Sequence, residues 1–203
     1  MEDWHTQQHM SPDSLFIGFC YACSHGDERL AKVLVKLHPD IINMQYERDG
    51  SGKTGLMASL FQDDLGEDDC PKSASLSRWL LSLPGLDVNI VDRDGNSALH
   101  HLHWNCPLDI VILLAKLASW TTINLVNNDG RTALDNIMDI IHPEGGVFSI
   151  TLYLTWLGAA CNVEHKLWPE GVTLQTWLDA GLASLRYVYF ETVVNKCGLG
   201  IAD

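Results

Sequence analysis

Apolar residues recur along this chain at helical spacing, in short bursts separated by turn-forming clusters. Leu30, Val33, Leu34 and Leu37 fall at i, i+3, i+4 and i+7, an amphipathic helix that must stop before Pro39. Leu76, Trp79, Leu80 and Leu83 repeat the pattern in a helix resuming at Ser73, which runs into Pro84-Gly85. The same reading predicts helices from Asp13 or Ser14 to Ser24, Gly55 to Phe61, Ser97 to Asn105, Leu108 to Ser119, Thr132 to Ile141 and Val147 to Leu157. Turns between paired helices are expected at His25-Gly26-Asp27, Cys106-Pro107 and Pro143-Glu144-Gly145-Gly146. Residues 1–12 are polar and read as a flexible arm, and 198–203 as a loose tail. The segment from Gln62 to Lys72 is too acidic for a core and reads as a solvated insertion between two paired helices.

Superimposed on this rhythm is a repeat. Arg93-Asp94-Gly95-Asn96-Ser97-Ala98-Leu99-His100 returns as Asn128-Asp129-Gly130-Arg131-Thr132-Ala133-Leu134-Asp135, 35 residues later. A stretched copy spans Arg48 to Leu56, and a degraded one runs from Pro169 to Leu174. The physical logic is local. Asp-Gly makes a tight turn because glycine accepts positive φ, and the Ser or Thr two residues later can cap the following helix. Small Ala98 and Ala133 let neighbouring units approach, and Leu99 and Leu134 begin a buried stripe. Self-similarity at this period signals a stack in which no unit buries its apolar face alone.

Gly95 to His100 resembles the ankyrin signature G-x-T-[AP]-L-H-x-A, and Leu86-Asp87-Val88-Asn89 and Gly158-Ala159-Ala160-Cys161-Asn162-Val163 resemble that family's outward loops. The resemblance covers roughly residues 14–185 and is close in two units. It implies an all-α ankyrin-repeat solenoid of paired antiparallel helices joined by hairpin-like loops. The implied units are about 13–47, 48–92, 93–127, 128–166 and 167–197, a single domain over 13–197, with the last unit atypical as terminal repeats are.

Charge narrows the partners. Twenty-six acidic residues against 13 Lys and Arg give a formal charge of −13. This argues against a nucleic-acid phosphate partner and favours a protein or peptide, with a basic segment as one fitting feature. No apolar run approaches the roughly 18 residues that span a membrane, and the first residues lack a signal-peptide pattern. Six cysteines show no disulfide-framework spacing, so a reduced intracellular protein, cytoplasmic or nuclear, is expected.

Candidate chemistry is sparse. Gly52-Lys53-Thr54 resembles the end of a phosphate loop, but Glu47 stands where the motif requires glycine, and an enlarged repeat hairpin is the simpler reading. His100, His101, His103 and Cys106 are the densest metal-capable set; no second ligand pair at zinc spacing follows. In the family resemblance His100 is the repeat's structural histidine, bonded to hairpin backbone. Cys20-Tyr21-Ala22-Cys23 falls late in a helix and reads as packing rather than redox chemistry. No G-x-S-x-G elbow and no outstanding carboxylate pair appear, so neither an enzyme nor a cofactor is expected.

A binding surface remains. Carried over by the resemblance, the hairpin-tip positions are Arg48, Asp49, Arg93, Asp94, Asn96, Asn128, Asp129 and Arg131. The variable inner-helix positions are Tyr21 and Ser24, Ala58 and Phe61, His101 and Trp104, Asn136 and Asp139. Tyr21, Phe61, His101 and Trp104 would line up across three units as an exposed aromatic patch on a concave face. The expected function is an intracellular interaction module, an adaptor or regulatory scaffold. Two alternatives stay open. One is a dedicated subunit of a larger complex, docking through the aromatic-rich C-terminal third (Trp156, Trp168, Trp177, Tyr187, Tyr189, Phe190). The other is a metal-dependent protein centred on the His100–Cys106 cluster.

Overall fold

The computed structural model describes residues 12–46, 50–60, 73–103, 106–139 and 147–162. These residues are all-α. Eight α-helices run in order: α1 (Pro12–His25), α2 (Glu28–Leu37), α3 (Gly55–Leu60), α4 (Ala74–Leu81), α5 (Leu108–Leu117), α6 (Trp120–Ile123), α7 (Ala133–Asp139) and α8 (Val147–Trp156). Short 3-10 turns occupy Pro39–Asn43 and Ala98–His101. Two isolated antiparallel bridges, Tyr46 with Lys53 and Val91 with Ser97, are the β-pairing among the described residues.

Local chemistry sets the helix ends. Asp27 caps α2, its carboxylate accepting the Leu30 amide at 3.0 Å, and the helix stops at His38 ahead of Pro39 as expected. The helix predicted from Leu108 to Ser119 ends at Leu117, and Ser119 instead caps the short α6 by accepting from the Thr122 amide. The largest departure is at Ser97. Where a helix to Asn105 is predicted, the chain makes one 3-10 turn and becomes extended at Leu102 (φ −64°, ψ 128°). The side chains of this turn are committed elsewhere: His100 folds back on Ser97, and His101 reaches Asp92.

Helix pairs pack face to face and then onto the next pair. α1 lies against α2 and α3, α3 against α4, α4 against α5, and α8 against both α5 and α7. One core threads these contacts, from Phe19 and Ala31 through Leu56, Leu76, Leu80 and Leu99 to Ile110, Leu114, Leu134 and Tyr153, all but closed to solvent.

Polar bonds repeat from pair to pair alongside the core. Asn89 Oδ1 accepts from the Ser119 amide at 2.8 Å and from Thr122 Oγ1 at 2.7 Å. Asn124 clamps the next connection, donating to the Gly158 carbonyl and accepting from the Ala160 amide. Asn43 does the same to Gly85 and Asp87. The helical face is stitched too: Glu28 accepts from Ser75, Lys32 lies over the Trp79 ring, and Arg78 grips Asp109 through two nitrogens.

Candidate functional site

The hairpins place the expected binding residues, and their geometry is built on two side chains one step upstream of the sequence motif. Asp92 accepts at Oδ1 from the amides of Asp94 (3.0 Å) and Asn96 (2.8 Å). Asn127, 35 residues later, accepts from the amides of Asp129 (3.0 Å) and Arg131 (2.9 Å). In both turns the first residue's amide donates back across, Asp92 to Asn96 and Asn127 to Arg131. Gly95 and Gly130 close the turns at φ 78°, a conformation side chains resist. At Gly95 a Cβ would also lie about 3.0 Å from Asn128 Oδ1.

Successive hairpins are bonded to one another. Arg93 donates its amide to the Ser51 carbonyl, and Asn128 donates its amide to the Asp94 carbonyl. Asn128 Nδ2 reaches the Arg93 carbonyl at 2.9 Å, and Asn127 Nδ2 reaches Asn96 Oδ1 at 2.7 Å. Arg93, Asp94, Asn128 and Asp129 are exposed at the tips, while Asn96 and Arg131 are half-buried in the seam. The tip residues therefore sit on backbone held at both neighbours.

A second repeated position faces each turn from the following helix. His100 Nδ1 accepts the Ser97 amide at 3.1 Å, and its Nε2 donates to the Arg131 carbonyl of the next hairpin at 3.3 Å. Asp135 holds the equivalent place, accepting from the Thr132 amide at 2.8 Å and from the Asn162 amide at 2.8 Å. Met57 Sδ accepts from the Thr54 amide in the earlier hairpin. The hairpin-bonding role expected for His100 is thus visible, and the residue type at that position varies along the chain.

His101 departs from expectation. It was placed on a solvent-facing aromatic patch; instead its side chain is 7% exposed and its Nε2 lies 2.9 Å from Asp92 Oδ2, whose side chain is 1% exposed. The cause is the short 3-10 turn, which swings His101 under the hairpin. Tyr21 is 59% exposed, with its ring stacked on His25 at a centroid distance of 4.0 Å. Asn136 is half-buried and donates to the His100 carbonyl. Arg48, Phe61 and Trp104 lie outside the described residues, and of Asp139 the helical backbone position alone is described. The aromatic row across three units is therefore represented here by Tyr21, while the tips Arg93, Asp94, Asn128 and Asp129 are brought together. Asp92, Asn127 and the Asn43, Asn89 and Asn124 clamps were missed in sequence. Extending the repeat one residue upstream, to Asp92-x-Asp94-Gly95 and Asn127-x-Asp129-Gly130, would have found the first two.

Among the described residues, no group of three or more His, Cys, Asp or Glu side chains is arranged to hold a metal ion. His103 and Cys106 line a pocket of about 10 Å³, roughly one water, with Ser59, Leu60, Ala74, Ser77 and Ile110. Burial, with Cys20 nearby, pushes the Cys23 thiol well above its ordinary range, so it is a poor source of thiolate. Burial and the Asp135 carboxylate push Cys161 up to about 12. Cys70 and Cys197 lie outside the described residues. No helix of the described residues is long and apolar enough to cross a membrane.

The buried ionisable groups make the hairpins acid-sensitive. Burial holds the His100 pKa below its ordinary value, and protonating Nδ1 would also expel the Ser97 amide it accepts. Burial opposes ionisation of Asp92, but bonds from His101 and the Asn96 amide outweigh it and keep that carboxyl below the usual range. On the exposed helical face, the Arg78 hydrogen bonds hold the Asp109 carboxyl low as well. For each group the folded pKa is depressed, so the unfolded chain takes up protons first on acidification. The stability they give is complete near neutrality, is lost from His100 as pH falls below about 6.5, and is lost from the carboxylates below about 4. Urea midpoints at pH 7.5, 5.5 and 4.5 should fall in that order, and His100→Asn should shrink the first step. A midpoint that rises between pH 7.5 and 5.5 would contradict this assignment.

A scan against protein-family models finds no match to this chain, and a search of curated proteins finds none either.

Proposed function

We propose that the chain is an ankyrin-repeat-like stack that serves as a non-enzymatic interaction module, presenting its hairpin tips to a protein or peptide partner. The observation that carries this reading is the bonded pair of hairpins at Asp92 and Asn127. The same internal bonds recur 35 residues apart, and Arg93, Asp94, Asn128 and Asp129 project from a backbone fixed on both sides. A preformed surface loses little ordering entropy on binding, so a few well-placed contacts suffice. The tips carry both signs of charge, Arg93 beside Asp94 and Asp129, which suits a partner with paired charges or a basic segment. The overall charge of −13 adds long-range attraction for a basic partner.

The subunit reading rests on aromatics that, Trp156 apart, lie outside the described residues; Trp156 itself is 43% exposed and stacks on Tyr153. It predicts that capture survives every change at the tips.

The test compares partners captured from the native lysate by the wild-type chain, by Arg93→Glu with Asp129→Lys, and by Phe61→Ala with Trp104→Ala, after circular dichroism shows equal helicity. The reading expects a partner lost from the tip variant and also, where the groove contributes, from the aromatic variant. Identical partners in all three preparations would refute it and direct attention to the C-terminal third.

A further inference from the structure

The outer face of α2 combines an exposed apolar stripe with positive charge. Leu30, Val33 and Leu37 are 37%, 54% and 64% exposed, far from the burial expected of three large aliphatic side chains on one helix. At about 100° per residue they share about 60° of the helix circumference and run roughly 10 Å along it. Ala31 and Leu34 of the same helix face the core. Glu28 and Lys32 lie on the side opposite the stripe, where they meet Ser75 and Trp79 of α4. The stripe therefore looks away from the following helix pair, on the end of the stack.

Charge selects the occupant. Three of the chain's 13 Lys and Arg residues fall within the ten residues of α2. Lys32 is committed to Glu28 and Trp79. Arg29 and Lys36 are exposed and sit one turn-width from the stripe, along a single edge of it. Of the nearby acids, Asp27 spends its carboxylate on the α2 cap and Glu28 is paired, while Asp40 lies beyond the helix end. A second copy of the chain brings its own Arg29 and Lys36 against these, so self-docking is opposed at the face itself.

We propose that this face docks an acidic amphipathic helix of a partner protein, with aliphatic side chains over Leu30, Val33 and Leu37 and carboxylates against Arg29 and Lys36. This site is separate from the hairpin tips and stands or falls independently of them. A patch of this size supports weak, salt-sensitive binding, about 10–100 μM.

The test titrates the full chain into a labelled, lactam-stapled helix of about 15 residues carrying leucines at i, i+3 and i+7 and flanking glutamates, read by fluorescence anisotropy. Saturable binding is expected, weakened about tenfold or more by Val33→Glu and by Arg29→Glu with Lys36→Glu. A lysine-flanked version of the same helix should gain nothing from this face, so Val33→Glu should leave any binding of it unchanged. Equal affinity of the glutamate-flanked helix for wild type and Val33→Glu would overturn the proposal, as would lysine-flanked binding that Val33→Glu weakens. So would binding to phosphatidylserine vesicles in place of the peptide, which assigns the face to lipid. Binding by Trp4→Ser where wild type fails would assign it to the chain's own first residues. Concentration-dependent dimerisation lost in Val33→Glu would assign it to a second copy.

Discussion

Replacing Asp92 by alanine is expected to cost about 3 kcal/mol of stability, whereas Asp92→Asn should cost only about 1. The aspartate accepts two backbone amides of its hairpin and the His101 ring, with 1% of its side chain exposed. Alanine leaves those donors without a partner inside a low-dielectric seam, and the loss of buried acceptors is what makes such changes expensive. Asparagine retains the Oδ1 that closes the turn. The chain itself makes this substitution: Asn127 performs the same backbone role 35 residues later, and Asn136 stands where His101 does. Asp92→Asn combined with His101→Asn puts the later hairpin's residue types into the earlier one and should be milder than Asp92→Ala. Urea unfolding at pH 7 measures all three. A cost for Asp92→Ala below about 1 kcal/mol would mean the turn does not depend on this clamp.

Leu134→Ala is the second large effect, at about 3 kcal/mol, and Leu99→Ala should match it. Both residues are about 1% exposed or less and occupy the same place in the repeat, at the start of the helical turn after each hairpin. Leu134 sits on α7, which packs against α8 and the Ala98–His101 turn, so truncation opens a cavity between elements of different pairs. Leu117, on α5 and 45% exposed, is the control: Leu117→Ala should stay within about 0.5 kcal/mol. The comparison separates burial from residue type. A result in which Leu117→Ala costs as much as Leu134→Ala would show that the outer face of α5 is covered in solution.

Much of the architecture is legible along the chain because its cause is local. The Leu30, Val33, Leu34, Leu37 spacing and Pro39 fix α2 to within a residue, and Asp-Gly fixes the turns at Gly95 and Gly130. The site was less legible. The tip residues Arg93, Asp94, Asn128 and Asp129 emerge exposed, since a two-residue turn must point its corners outward. His101 misleads because its repeat position says solvent, while Asp92, nine residues away, supplies a buried acceptor that the spacing does not reveal. The Asn43, Asn89 and Asn124 clamps read as loop residues until the bonds 30 to 44 residues distant are seen.

The α2 face illustrates the same division. Its alternation of aliphatic and basic residues is a property of the sequence, and by itself it describes any surface helix. Which side meets the core, and that Leu30, Val33 and Leu37 are left in water, follows from α1 packing on one side and from Ser75 and Trp79 of α4 meeting Glu28 and Lys32 on another. The sequence by itself determined the helical class, the 35-residue period, the turn positions and the acidity, because each depends on neighbours within a few residues. Only the tertiary structure decided which polar side chains are spent holding one hairpin to the next and which remain exposed. Those bonds join residues far apart in the chain, and no local propensity encodes the partner.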